Sequence, residues 1–181
     1  MKTLRTLVII MVGIVLIASC SDEQDFNQLD DLQIMPTYET SVFYVKAQES
    51  IINRVSGLSF FSQDFNFDAF EEPFFAERVQ SGVLSYTLEN TTSKPIEITL
   101  EFLDPSDVVL DTEQFQMTAA PTALITREVA YGTMGKSLDI IRNTSKIRLT
   151  ARNLGDTTTT SNLPDPAVIL RSSAKFTLEI K

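Results

Sequence analysis

The chain has 181 residues, with 24 acidic and 15 basic side chains, a net charge of −9, one Cys, no His and no Trp. Without His there is no Ser-His-Asp triad, no Cys-His pair and no imidazole metal ligand, and a single Cys makes neither an internal disulfide nor a thiolate zinc site. A pI near 4.5 lacks the basic footprint that nucleic acid demands, while 43% apolar and 22% charged residues is the composition of a folded domain.

Lys2 and Arg5 open the chain, and Leu7 to Ile17 is an apolar run broken only by Gly13. A bilayer-spanning helix needs roughly 20 apolar residues, whereas a signal-peptide core needs about 7–15. The run ends in Ile17-Ala18-Ser19-Cys20, and small residues directly before a Cys resemble a bacterial lipobox. The resemblance implies cleavage before Cys20 and a lipid (palmitate among its acyl chains) on that residue. Each buried methylene of such a chain contributes about 0.8 kcal/mol, so several chains anchor a protein firmly. Losing residues 1–19 removes Lys2 and Arg5 and makes the remainder more acidic still. Anionic lipid would repel it, so attachment falls to the lipid. Ser21-Asp22-Glu23 then resembles the surface-export signal of Bacteroidota lipoproteins. That implies an outer-membrane protein exposed at the cell surface, with a periplasm-facing one as the alternative.

Residues 20–40 are polar and acidic without a period, and read as the lipidated Cys and a tether. Fully extended, such a segment spans at most roughly 70 Å. Residues 41–181 are one domain, with a first strand at Val42–Lys46.

Seven of the twelve Phe residues follow, from Phe60 to Phe75. Two readings compete. Phe65, Phe67, Phe70, Phe74 and Phe75 could form an exposed patch for a partner. Alternatively the irregular segment plugs an open end of the fold. Burial is worth roughly 1.5–3 kcal/mol per ring, which favours the plug. Within it, Asp64, Asn66 and Asp68 have the alternate spacing that opens a calcium loop, but Ala69 replaces the turn glycine and Phe75 the bidentate Glu. Asp104, Asp107 and Asp111 form a looser acidic group. Solvated turn carboxylates are the commoner outcome for both, and no cofactor is expected.

Leu84, Tyr86 and Leu88 alternate with polar residues, as do Ile96, Ile98, Leu100 and Phe102. Each is a strand with one face in a core, and the turn-rich Asn90–Pro95 between them predicts an antiparallel hairpin. Val108–Leu110, Phe115–Met117 and Leu124–Ala130 read as further strands. A short helix is predicted over Lys136–Asn143, with Leu138 and Ile141 on one face. Ile147, Leu149 and Ala151 alternate again. Asp156-Thr157-Thr158 resembles the O-glycosylation sequon of Bacteroidota, with Thr157 as acceptor. The last strand puts Leu170, Ala174, Phe176, Leu178 and Ile180 on one face.

About seven punctuated strands predict an all-β, antiparallel sandwich, immunoglobulin-like in topology, with an open barrel as the alternative. The segment Glu89–Asp104 loosely resembles the strand-turn-strand pieces of bacterial immunoglobulin-like modules, which implies architecture only. No phosphate loop or nucleophile context is present. The expected function is therefore a lipid-anchored, non-catalytic binding or accessory module of the outer membrane or cell surface. Its partner would be a protein or a glycan. The alternatives are a structural component of an envelope assembly, docking through the Phe-rich segment or a sheet edge, and a carboxylate-dependent hydrolase.

Overall fold

A computed structural model describes residues 34–67, 70, 72–120 and 124–180. The expected signal peptide, lipobox, Cys20 and export signal lie outside the described residues. Residues 34–181 form a unit of their own.

Eight strands build it: β1 (Thr37–Gln48), β2 (Ser59–Asn66), β3 (Val79–Asn90), β4 (Ile96–Leu103), β5 (Val109–Met117), β6 (Ile125–Gly132), β7 (Lys146–Asn153) and β8 (Ala167–Leu178). Three short helices intervene: α1 (Glu49–Ile52), α2 (Pro73–Arg78) and α3 (Leu138–Asn143). All pairings are antiparallel, in two four-stranded sheets ordered β1-β8-β3-β6 and β2-β7-β4-β5. The all-β sandwich and its helix at 138–143 match the sequence expectation.

Strand number and connectivity differ from it. Consecutive strands alternate between the sheets except for the β4–β5 hairpin, and this order of eight is that of a jelly roll rather than an immunoglobulin domain. The predicted hairpin of β3 and β4 is therefore absent. β3 lies between β6 and β8, β4 between β5 and β7, and Thr91–Pro95 carries the chain across the sandwich. Thr37–Thr40, expected in the tether, already belong to β1.

The period-two pattern places the core. β4 buries Ile96, Ile98, Leu100 and Phe102, and β8 buries Leu170, Ala174, Phe176 and Leu178, all at 2% exposure or less. Their partners in sequence stay at the surface because successive side chains leave opposite faces. The two open flanks close differently. Between edge strands β1 and β2, Phe43 stacks on Phe65 with ring centroids 5.1 Å apart. Between edge strands β5 and β6, charges do it. Lys136 Nζ donates to Asp111 and Glu113 at 2.6 Å each, and Arg127 donates to Glu113 at 3.2 Å. Arg127 also covers the Phe115 ring. The turn presenting Lys136 needs glycine at 135, where a Cβ would lie 2.0 Å from the Ala130 carbonyl oxygen. Among the described residues no helix is long and apolar enough to cross a membrane.

Candidate functional site

The strands end at two poles of different chemistry. At the first, Ile34 and Ile180 pair through their backbones at 3.2 and 2.9 Å, so the described chain enters and leaves together. The Phe-rich segment and α2 and α3 cover this pole. Phe67 and Phe70 are buried, and Phe70 and Phe75 meet Phe176 edge-on at 5.3 and 5.5 Å. Ile141 is fully buried beside them, and α3 begins where Ser137 Oγ accepts the Asp139 N–H. Phe65 packs against the core as part of β2. Only Phe74 stands out, 55% exposed under the Arg78 guanidinium. The five residues expected as a partner patch are therefore mostly plug, since four of the rings have core neighbours to cover them.

The second pole, named the loop pole for its long β7–β8 connection, is polar inside. Among the described residues, the buried polar side chains Glu49, Asn90, Thr92, Lys94 and Asn153 lie there. Asn90 makes the crossover between sheets. Its Nδ2 donates to the carbonyls of Lys94 and Thr118 at 2.8 Å, and its Oδ1 accepts from the Thr92 N–H and hydroxyl. Asn153 does the same at the end of β7, donating to Val55 and Asp156 carbonyls at 2.7 and 3.0 Å and accepting from the Gly155 N–H. Such side chains satisfy backbone groups that no strand can reach.

Two ionised groups complete this interior. The Lys94 side chain is fully buried, and its Nζ donates to the Asp156 carboxylate and to the Thr159 carbonyl and hydroxyl. Asp156 also accepts the N–H groups of Thr158 and Thr159. The Lys94 ammonium, with these donors behind it, holds the Asp156 carboxyl far below the usual range. Glu49 is 3% exposed. Its Oε1 accepts the Ser93 N–H and hydroxyl at 2.6 Å, and its Oε2 accepts the Ser161 N–H at 2.9 Å. Burial alone would raise its pKa. The Ser93 hydroxyl, the Ser161 and Ser93 N–H groups and the nearby Lys94 charge outweigh that and lower it.

This network fixes the β7–β8 connection, residues 154–166, which is much longer than the usual 4–6 or so. Clefts flank it on both sides. One, of about 310 Å³, lies among Ser50, Asn53, Thr160 and Asp165, and the other, of about 490 Å³, among Ser93, Ala120, Thr160 and Asn162. Thr157 is exposed on this connection, as a modification acceptor must be. The adjoining Asp156 carboxylate is engaged inward.

The calcium candidates are engaged elsewhere. Asp64 accepts from Arg148 Nε at 2.8 Å and Nη2 at 3.0 Å, with Lys146 Nζ at 3.6 Å. Hydrogen bonding to Arg148 is the main reason its pKa falls. Asn66 ends β2, and Asp68 lies outside the described residues. Asp104 caps its own turn by accepting the Ser106 and Val108 N–H groups, while Asp107 pairs with Lys146 and Asp111 with Lys136. Among the described residues no cluster of three His, Cys, Asp or Glu side chains is placed to hold a metal.

Sequence reasoning missed Glu49, Lys94, Asn153 and Asp156 as a group. Their separation along the chain hides them, and only the turn residues around Asn90 were visible. It also missed Tyr86 and Tyr131, whose hydroxyls are buried near Asp111 and Glu113. Burial, then the neighbouring charges, raises both pKa values.

No protein-family model and no curated protein matches the chain. Solved structures resemble its backbone. A Desmodium yellow mottle tymovirus structure gives a TM-score of 0.38 at 9% identity, over 83% of this chain and 91% of that one. A Bacillus endospore appendage structure, from disulfide-linked pili, gives 0.34 at 11% identity, over 88% and 95%. Turnip yellow mosaic virus gives 0.34 at 9% identity, over 83% and 82%. Likeness at this level carries no functional inference.

Proposed function

We propose that the chain is a lipid-anchored, non-catalytic binding module of the outer membrane, displayed at the cell surface through Cys20. The lipobox Ile17-Ala18-Ser19-Cys20 and the acidic Ser21-Asp22-Glu23 support the address. The observation that carries the binding role is the long β7–β8 connection, held by the buried polar network. The described chain begins and ends at one pole. The opposite pole holds a long connection fixed by a buried polar network, with clefts beside it. Long ordered loops on a rigid scaffold are where binding residues concentrate. Twelve residues of β1 separate the poles by about 40 Å. Thr157 on that pole is a candidate for O-glycosylation.

The test is protease digestion of tagged protein on intact and lysed cells, with Cys20→Ala in parallel. The proposal expects digestion on intact cells and loss of Cys20→Ala from the membrane. Protection until lysis would give the periplasm-facing alternative. Membrane retention of Cys20→Ala would end the lipoprotein reading.

A second reading, a component of an envelope assembly, keeps one support. Among the described residues no strand pairs with the outer edge of β1, and Tyr38 and Tyr44 are more than half exposed beside it. Glu39, Lys46 and a bulge between Ser41 and Phe43 blunt that edge against indiscriminate pairing. Light scattering showing a monomer at micromolar concentration would count against this reading. The hydrolase reading has no feature beyond the Asp111–Glu113 pair, which Lys136 occupies.

A further inference from the structure

We infer that the two clefts at the loop pole form one continuous site for a neutral oligosaccharide. The inference deepens the binding-module reading and rests on it. The clefts share Thr160 and Ser161, so a ligand lying across the connection touches both. Their volumes, about 310 and 490 Å³, fall in the range of roughly 300–1,000 Å³ common to small-molecule sites. Together they have room for more than one sugar ring.

Charge decides the ligand class. The ionised groups that line the clefts, Glu49 and Asp165, are already engaged within the protein. Glu49 receives three hydrogen bonds, Lys94 faces Asp156, and Asp165 pairs with Lys46 at 2.6 Å and accepts from Gln48 at 3.2 Å. A charged ligand would lose hydration and gain no counter-charge. The remaining polar lining, Ser50, Asn53, Thr160 and Asn162, is uncharged and offers donors and acceptors together. The Asn53 carboxamide adds a directional feature. Its Nδ2 donates to the Thr159 carbonyl at 3.3 Å, which fixes the amide's orientation, and its buried Oδ1 has no donor. The walls are held by the Glu49 bonds to Ser93 and Ser161, so little loop ordering opposes binding. Among the described residues no aromatic ring lines either cleft.

Affinity electrophoresis of the full-length chain in detergent tests this. Native gels carry one neutral polysaccharide each (starch, galactomannan, xylan or a β-1,3-glucan), or an acidic one (alginate or pectin). The expected result is at least a twofold loss of mobility with one or more neutral polymers and none with the acidic ones. Ser50→Ala combined with Asn162→Ala should restore most of the mobility without moving the thermal midpoint, because both side chains are exposed. Failure of all four neutral polymers, retardation by acidic polymers alone, or equal retardation of the double variant would overturn the inference. Membrane release of Cys20→Ala is scored on the same preparations. It can succeed while sugar retention fails, so the two readings fall separately.

Discussion

Lys94 and Glu49 show how single residues can carry charge into this fold. Neither is isolated, because each interior charge meets an opposite charge or three aligned donors. Removing one partner of such a set costs more than removing the set, since the remainder is left buried and unsatisfied. Asn153→Ala is the cleanest probe, being uncharged and fully buried. It strips donors from the Val55 and Asp156 carbonyls and should destabilise the domain by about 1–3 kcal/mol, read by urea denaturation. A pH effect follows from the same residues. Glu49 and Asp156 titrate lower in the folded chain than their ordinary values of 4.5 and 3.8. Below those values the unfolded chain takes up protons that the folded chain refuses, so stability must fall. Their contribution is complete above about pH 5 and is lost as pH drops through 4 toward the depressed values. Glu49→Gln should lower the thermal midpoint at pH 7 and flatten its decline between pH 5 and 3. A variant whose midpoint tracks the parent across that range would contradict the assignment.

At the scale of elements, the period-two signal was legible wherever one face met the core and the other met water. β4, β7 and β8 fall where Ile96–Phe102, Ile147–Ala151 and Leu170–Leu178 alternate. β2 was not, because Phe60 and Phe61 adjoin and a bulge interrupts its pairing with β7. The crossover after β3 was misread for a different reason. Asn, Thr, Ser and Pro announce a reversal, but they do not say whether the chain returns in its own sheet or in the facing one. That choice rests on Asn90 reaching the Thr118 carbonyl, a contact distant in sequence. The loop-pole site was invisible on the same ground, since Glu49, Ser93 and Ser161 meet only after folding. The plug also gives an element-scale prediction. Phe70→Ala empties a site among Phe67, Phe75 and Phe176 and should cost about 3–5 kcal/mol. Phe74→Ala, four residues further on but exposed, should stay within about 0.5 kcal/mol of the parent. Equal losses in chemical denaturation would mean that the segment docks as a patch after all.

For the whole molecule, the jelly roll separates two duties that the sequence keeps close to its ends and its turns. One pole gathers the chain's entry and exit and seals them with aromatic rings. The other gathers crossovers, a long connection and two clefts around a buried polar centre. The net negative charge of the chain disfavours contact with anionic lipid. The central claim of the proposed function is the lipid anchor at Cys20. Mass spectrometry of the N-terminal peptide from membrane-extracted protein tests it directly. The account predicts a mature chain beginning at Cys20, carrying a diacylglyceryl thioether and a mass increase of that size. An unmodified Cys20 in a chain that retains residues 1–19, or a mature terminus at any other residue, would contradict it.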